Sequence, residues 1–306
     1  MVNLKIQLPK SFLDDEIRCK HLVTSEIKKV WAVELDLLAE LDRVCKKHNL
    51  QYYADGGTLL GAARHKGFIP WDDDVDIAMM RKDYEKLCSI APSEFSHPYF
   101  FQTEYSDFGS LRGHAQLRNS QTTAILGNKE NVRQYNQGIF IDIFPLDAIP
   151  DNKFQKRYQK MMLNLYKRLY LLCAYSTIYY NGNSQLRNMK IKTFIHNHFY
   201  EQSKALIDVF YKKYERICSK YNNKQTKYLC LFCFGYEILR RERSKYAQVV
   251  ELDFENRKLP APYQYVDVLA LQYGDWKKYV IGKSFHGNVF FDTEHSYLEY
   301  LTKNSK

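Results

Sequence analysis

An acidic residue, Asp142, interrupts the apolar stretch GIFIDIFP at positions 138–145. A continuous apolar run of this length is typical of a strand that is buried on both faces of a sheet. Taking an unpaired carboxylate out of water into such a strand is very costly. Asp142 therefore needs either a cation beside it or a backbone group that it caps, and the run itself leaves both alternatives open.

A second acidic segment occupies residues 72–79 (DDDVDIAM). From position 74 it alternates between polar and apolar residues, which predicts a half-buried strand. In such a strand Asp74 and Asp76 point to the same face, roughly 6.5 Å apart along the backbone. If this strand lay beside that of Asp142, the three carboxylates would offer the hard oxygen ligands that Mg²⁺ prefers. The sequence therefore predicts a metal site made of Asp74, Asp76 and Asp142, with Mg²⁺ as the expected ion and Mn²⁺ as the alternative.

Two other structures could contain this acidic segment. A solvated turn is the alternative for Asp72 and Asp73, because aspartates are common in turns. A calcium loop of the EF-hand type also carries acids at alternate positions. That loop, however, needs glycine where Ile77 stands and glutamate where Asp83 stands, so the EF-hand interpretation is excluded.

A pair of glycines, Gly56 and Gly57, precedes a short helix predicted over residues 58–65. Glycines allow a ligand to approach the backbone closely, and the N–H groups at a helix start attract anions. Because the acidic strand follows about twenty residues later, the pair predicts a phosphate cradle that faces a metal. Arg64 and Lys66 lie between the two features and could neutralise a diphosphate, an exposed basic turn being the alternative.

Composition favours a globular protein. The 306 residues suit one large domain or a core with a substantial insertion, and 45% hydrophobic residues supply a core. The N-terminal residues lack the apolar stretch and small residues of a secretory signal. No window approaches the roughly 18 apolar residues of a membrane span. We therefore expect a cytoplasmic protein.

Seven irregularly spaced cysteines are more typical of reduced thiols than of a disulfide framework. Cys230 and Cys233 form a C-x-x-C pair, but a structural zinc site needs four ligands and no second pair lies at the required spacing. His196 and His198 could complete a site in principle. Nothing in the sequence brings them to the cysteines, so zinc binding stays open.

The net charge of +10 is concentrated in one segment. Residues 151–222 contain fourteen Lys or Arg and four Asp or Glu, whereas the rest of the chain has 31 of each. Tyr, Phe, Leu and Met are interleaved with these bases. The segment is therefore a localised basic surface, which fits either a solvated helical face or contact with anionic lipid.

Hydrophobic periodicity gives a coarse order of elements. The predicted elements are a helix at 25–49, strand at 50–54, helix at 58–65, strand at 75–79, helix at 83–90, strand at 138–145, and long helices from 153 to about 222 with a break at 181–183. Short apolar pieces and turns follow. No internal repeat is present in the sequence.

The motifs resemble those of the LicD family. The resemblance is carried by residues 55–62 (DGGTLLGA) and 64–77 (RHKGFIPWDDDVDI), by 138–147 (GIFIDIFPLD), and more loosely by 259–262 (LPAP) and 273–276 (YGDW). It implies an α+β nucleotidyltransferase-like core, a short mixed sheet flanked by helices, with a helix-rich insertion and a C-terminal part. The expected division is a catalytic core at 1–150, a basic helical segment at 151–245 that faces acceptor or membrane, and a C-terminal region at 246–306 that completes the active site.

The resemblance also implies a reaction. LicD-type proteins transfer phosphocholine from CDP-choline to a sugar hydroxyl of a teichoic acid or lipopolysaccharide precursor and release CMP. Members of this kind are bacterial, and the donor and a lipid-linked glycan acceptor would be the partners. Another CDP-linked polyol phosphate, of ribitol or glycerol, is the alternative donor. A nucleic-acid-binding module, the third hypothesis, would leave the aspartates unexplained.

Roles for single residues follow from the same resemblance. Asp142 is the first candidate for the general base and Asp55 the second. Aromatic faces bind quaternary ammonium groups, so Trp71 or Trp276 is expected to contact choline, a core position being the alternative. The residues expected to contact substrate are Gly56, Gly57, Thr58, Arg64, Lys66, Trp71, His114, Arg118 and His286. Ordinary packing is the alternative for His114. Peripheral contact with the inner face of the membrane is the remaining expectation.

Overall fold

The computed structural model describes residues 1–127, 132–180, 189–236, 240–281 and 288–304. It forms two compact units, Met1–Leu146 with Ser244–Lys306, and Asp147–Arg243. Helices flank a mixed sheet, so the α+β class expected from the sequence is confirmed. The division of the chain into three functional parts stays a prediction.

The first unit contains most of the strands. These are β1 (Glu16–Arg18), β2 (His21–Val23), β3 (Tyr52–Ala54), β4 (Asp76–Met80), β5 (Tyr99–Gln102), β6 (Ala115–Asn119), β7 (Thr123–Leu126), β8 (Ile139–Ile149), β11 (Val249–Phe254), β12 (Arg257–Pro262) and β13 (Val289–Asp292). Its helices are α1 (Ser25–Lys47), α2 (Gly56–His65), α3 (Arg81–Glu94), α7 (Tyr265–Tyr273) and α8 (Tyr297–Asn304).

The main sheet of this unit is built around β8. Strand β4 runs parallel to β8 on one side, and β3 pairs antiparallel with β4. On the other side β6 pairs antiparallel with β8, and β5 with β6. Every residue of β8 is buried, as the apolar pattern predicts. The strand is longer than predicted, because apolar positions continue past Pro145 to Ile149.

Helix α1 covers this sheet with an apolar stripe. Val30, Trp31, Leu38 and Leu41 are among its fully buried side chains, at the three- and four-residue spacing that places them on one face. The helix ends two residues before the predicted position, because Asn49 has a positive φ of 52°. The amphipathic pattern therefore fixes the buried face, while the local turn fixes the end.

The second unit is mostly helical. It contains α4 (Lys153–Ser176), α5 (Lys190–His198), α6 (Tyr200–Ser219), β9 (Tyr228–Cys230) and β10 (Arg241–Glu242), and the last three residues of β8 pair with β9. The rings of Tyr170 and Tyr211 pack edge to face with centroids 5.4 Å apart. The buried Gln159 amide donates to the carbonyl oxygens of Ala148 and Ile217, both at 3.2 Å. Within the described ranges, no helix combines the length and apolarity that a membrane span requires.

Candidate active site

Three aspartates meet where β3, β4 and β8 lie side by side. In the parallel pair, Asp76 of β4 is the direct register partner of Asp142 of β8. The backbone N–H of Asp142 donates to Val75 at 2.8 Å, and that of Asp55 donates to the carbonyl of Asp76 at 3.0 Å. Neighbouring strands lie about 4.8 Å apart, so the three residues occupy adjacent backbone positions. The sheet therefore joins residues that are up to 87 positions apart in the chain.

Asp74 lies outside the strand in which it was expected, because β4 begins at Asp76. Oxygen atoms of Asp72, Asp73 and Asp74 all lie within 4.8 Å of one another, and among the described residues this is the triple of acids that meets that distance. Before the strand the chain turns, and the N–H of Asp72 donates to the carbonyl of Ile69 at 2.9 Å. A shared metal position for Asp74, Asp76 and Asp142 stays a prediction.

These carboxylates act strongly on one another. Burial, followed by the charges of Asp74, Asp142 and Asp55, raises the pKa of Asp76 well above its ordinary value. Burial, followed by Asp74 and Asp73, raises the pKa of Asp72 to about 8. Protons or a divalent cation must therefore compensate the cluster near neutral pH. All candidate donors are carboxylate oxygens, which is the chemistry that suits Mg²⁺ or Mn²⁺.

The two glycines at the start of α2 make room for this cluster. A Cβ atom at Gly56 would lie 2.5 Å from Oδ2 of Asp76, and one at Gly57 would lie 2.5 Å from Oδ2 of Asp72. Gly56 also has a positive φ of 49°. The structure thus shows two carboxylates approaching the glycine backbone, whereas phosphate binding at the same backbone stays a prediction.

A polar network holds Asp142 from the β6 side. Its Oδ1 lies 3.0 Å from Nε2 of His114 and accepts a hydrogen bond from Nε2 of Gln116 at 2.5 Å. The other ring nitrogen of His114 lies 3.2 Å from the carbonyl oxygen of Arg112. The expected site residue His114 is therefore placed directly against the buried acid.

Arg118 lies behind this network. Its fully buried guanidinium donates to Gln116, to Oε1 of Gln102 at 2.6 Å and to the carbonyl of Gly138 at 2.6 Å. Burial lowers the pKa of Arg118 to about 9. The structure gives Arg118 the role of fixing the Gln116 amide, and its contact with a substrate stays a prediction.

Three expected contacts lie at the end of α2 and beyond. Arg64 donates from Nη1 to the carbonyl oxygens of Trp276 and Lys278, both at 3.1 Å, and so ties α2 to the YGDW motif. Lys66 is exposed, and its backbone is in the left-handed helical conformation with a φ of 56°. Trp71 is partly exposed and packs edge to face against His65, with ring centroids 6.3 Å apart.

Thr58 has a structural partner, because its Oγ1 accepts the N–H of Asp76 at 2.8 Å. This bond fixes the first residue of β4 against α2. His286 lies outside the described residues.

Sequence reasoning missed two residues near the site, Gln116 and Glu34. Gln116 was readable as a polar position of the strand AQLRN, but only the register places it opposite Asp142. Glu34 is a charged residue of an amphipathic helix, yet it is 1% exposed. Burial, followed by the charges of Asp74, Asp73 and Asp72, raises its pKa well above the ordinary value.

Comparison with known proteins agrees with the motifs. Residues 49–169, which include β3, α2, β4 and most of the main sheet, match the family model described as LicD/FKTN/FKRP, nucleotidyltransferase domain. Residues 49–169 therefore match a LicD-family domain, and the resemblance seen in the sequence is confirmed.

Individual relatives point the same way. The chain is 26% identical over 257 residues to the lipopolysaccharide cholinephosphotransferase LicD of Haemophilus influenzae, covering 80% of this chain and 88% of the relative. It is 48% identical over 40 residues to the human ribitol 5-phosphate transferase FKRP, covering 13% and 8%. An uncharacterised protein of Rickettsia prowazekii is 45% identical over 56 residues, covering 18% and 21%.

Proposed function

We propose that the chain is a divalent-metal-dependent phosphotransferase that moves phosphocholine from CDP-choline to a sugar hydroxyl of a teichoic acid or lipopolysaccharide precursor. One observation carries the proposal: Asp76 and Asp142 are register partners on parallel strands, beside the Gly-Gly start of α2. The similarity over 80% of the chain to a cholinephosphotransferase supports the choice of donor. A nucleotidyltransferase-like core belongs to the same proposal.

The residues fit a divalent cation. Asp74, Asp76 and Asp142 would hold it, with Mg²⁺ as the expected ion, because mutual repulsion of the buried acids disfavours their ionised form unless positive charge is added. When bound, the ion would offset charge on the phosphate oxygens of the donor.

The chain's own residues would handle the proton and the phosphate. The acceptor oxygen attacks the phosphorus that bears choline, the bond from that phosphorus to the CMP oxygen breaks, and CMP leaves. Asp142 would take the hydroxyl proton, and His114 and Gln116, which contact its Oδ1, would hold the carboxylate in place. Asp55 is the second candidate for this role. The N–H groups at Gly56 and Gly57 would bind phosphate.

The donor's choline group needs an aromatic surface. Trp71 follows the glycine helix and directly precedes the acid cluster in sequence, and its ring neighbour His65 has its pKa lowered to about 4 by burial and by Arg64 and Arg18. His65 is therefore neutral near pH 7 and does not repel a cation. We propose Trp71 as the face that contacts the trimethylammonium group.

The decisive test compares Asp74→Asn and Asp142→Asn with the wild-type protein. Both variants should lose CMP release and phosphocholine transfer, because the change removes a charged ligand while keeping the side-chain shape. Asp253→Asn is the matched control, since Asp253 is an exposed acid paired with Lys258 on the β11–β12 hairpin. Wild-type transfer rates in either site variant, with intact circular dichroism, would contradict the assignment.

Transfer of ribitol phosphate is the second candidate, because the chain also matches ribitol 5-phosphate transferases. The acid cluster would serve either donor equally. Incubation with CDP-choline, CDP-ribitol or CDP-glycerol, with CMP release as readout, separates them. Faster release from CDP-ribitol than from CDP-choline would replace the first donor assignment.

We further propose that the second unit contacts anionic membrane through α4. Phe154, Tyr158, Met161 and Leu165 recur at spacings of four, three and four, and their side chains are 84%, 39%, 59% and 44% exposed. They therefore form one apolar stripe along a helix face. Exposed bases lie on the same helix, namely Lys153, Arg157, Lys160 and Arg168. An exposed apolar stripe beside bases is typical of interfacial helices.

A further inference from the structure

Helix α1 places a carboxylate oxygen in an environment that the proposed reaction does not explain. Oε2 of Glu34 is buried and has no hydrogen-bond partner among the described residues, and the whole residue is 1% exposed. A buried polar atom without a partner costs the full desolvation of that group. Such an atom in a native structure is expected to meet a ligand, water or ion.

The position of Glu34 on the helix identifies what it faces. Trp31, three residues earlier, donates from Nε1 to the carbonyl oxygen of Asp72 at 3.0 Å. Residues three apart share a helix face, so the face with Glu34 packs on the acidic turn. The charges that act most strongly on Glu34 are all acids, namely Asp74, Asp73, Asp72 and Asp76.

Two basic side chains near Trp31, Lys28 and Arg18, already have partners. Lys28, which is 2% exposed, pairs with Glu16 at 3.1 Å. Arg18 lies over the Trp31 ring, 5.3 Å from its centroid, and pairs with Glu255 at 2.5 Å. These two protein cations therefore compensate other acids.

We propose that Glu34 joins Asp72, Asp73 and Asp74 in holding a divalent cation. Oxygens of the three aspartates already lie within 4.8 Å of one another, and the buried, unpartnered oxygen of Glu34 would be the fourth ligand. The position shares Asp74 with the predicted catalytic set but uses three acids outside it. An all-carboxylate donor set suits Mg²⁺, Mn²⁺ or Ca²⁺. The proposal adds a cation position to the proposed active site, yet cation binding itself does not require the transfer reaction.

The test measures binding without substrate. The full chain is stripped with EDTA and titrated with Tb³⁺ alone, and emission is excited through tryptophan. Trp31, bonded to Asp72, and Trp71, next to it in the chain, are suited to act as energy donors. Mg²⁺ is then added as the competitor. We expect saturable emission that Mg²⁺ displaces.

The variant Glu34→Gln should weaken Tb³⁺ binding about tenfold or more, because a residue that supports a metal site contributes about 10- to 100-fold in affinity. Glu40→Gln is the matched control. Glu40 is also a buried glutamate of α1, but it is paired with Arg43 at 2.8 Å. Binding should be unchanged in this control.

Thermal unfolding gives a second readout. Without metal, Glu34→Gln should melt at a higher temperature than wild type, since repulsion with the aspartates is removed. Added Mg²⁺ should raise the melting temperature of wild type more than that of the variant. If Glu34→Gln does not fold, Asp73→Asn is titrated in its place with the same expectation.

Wild-type Tb³⁺ affinity in Glu34→Gln, or in Asp73→Asn where that replaces it, overturns the proposal, as does an absence of Tb³⁺ binding by the wild-type protein. Failure of the proposed function looks different. In that case CDP-choline is not consumed, while Tb³⁺ still binds and Glu34→Gln still weakens it.

Discussion

At the scale of single residues, the carboxylates of the candidate site are closely packed by their neighbours. Gly56 illustrates this, because its missing Cβ leaves space for Oδ2 of Asp76 and its φ is 49°. Asp142 illustrates it from the other side, since His114 and Gln116 contact one of its oxygens. Small changes here are therefore expected to have large effects on catalysis.

Gly56→Ala separates steric displacement from backbone strain. We expect a stability loss of about 1–3 kcal/mol from the left-handed backbone and a fall in transfer rate of about 100-fold, because the methyl group must displace the Asp76 carboxylate. Denaturant unfolding and CMP release measure the two effects. Gly235→Ala is the control: its φ is 135° and it lies in the second unit, away from the acid cluster in the chain. It should lose stability but keep activity, and equal activity in both variants would contradict the steric argument.

At the scale of elements, the ends of α1 and α3 are joined by one acid. Glu94, the last residue of α3, lies 2.8 Å from Nζ of Lys47 and 2.8 Å from Nε2 of His48. Hydrogen bonds from Lys47 and His48 lower the pKa of Glu94 to about 2. The two helices that flank β3 and β4 in the chain are therefore linked by a pH-dependent contact.

Glu94→Gln tests this link. A carboxyl whose folded pKa is lowered stabilises the fold above its ordinary value of 4.5, and that contribution is lost as the pH falls from 4.5 through about 2. The variant should be less stable than wild type at pH 7, and the difference should vanish near pH 2. Denaturant midpoints across this range measure it. Glu85→Gln, at an exposed position of the same helix, should show no such convergence.

At the scale of the whole molecule, the acids of the candidate site and the excess of basic residues lie in different parts of the chain. The acids of the candidate site belong to the first unit, whereas the excess of basic residues falls largely in the second. A cluster of acids is suited to bind a divalent cation that contacts phosphate oxygens. A basic, partly apolar surface is suited to contact an anionic bilayer. The proposed metal site and the proposed membrane contact therefore fall in different units.

Flotation with liposomes tests the membrane surface. The double variant Phe154→Ser/Met161→Ser should bind anionic vesicles about 100-fold more weakly than wild type, because burying such side chains contributes about 1.5–3 kcal/mol each. Neutral vesicles should recover little of either protein. Ile17→Ser is the control, since Ile17 is 76% exposed on β1 of the first unit. Equal flotation of wild type and double variant would contradict the proposed membrane contact of α4.

Local patterns in the sequence were enough to predict most of the elements that carry the acids. Each of these elements has an apolar pattern of its own. The alternation before Met80 predicts β4, the apolar run around Asp142 predicts β8, and the apolar stripe predicts α1. Which residues lie next to these acids depends on the tertiary structure. The parallel pairing of Asp76 with Asp142 and the Gln116 amide opposite that acid join residues far apart in sequence, and the burial of Glu34 is likewise set by the fold. Periodicity carries no information about which distant strand or helix supplies the neighbour, because register and packing are set by the fold as a whole.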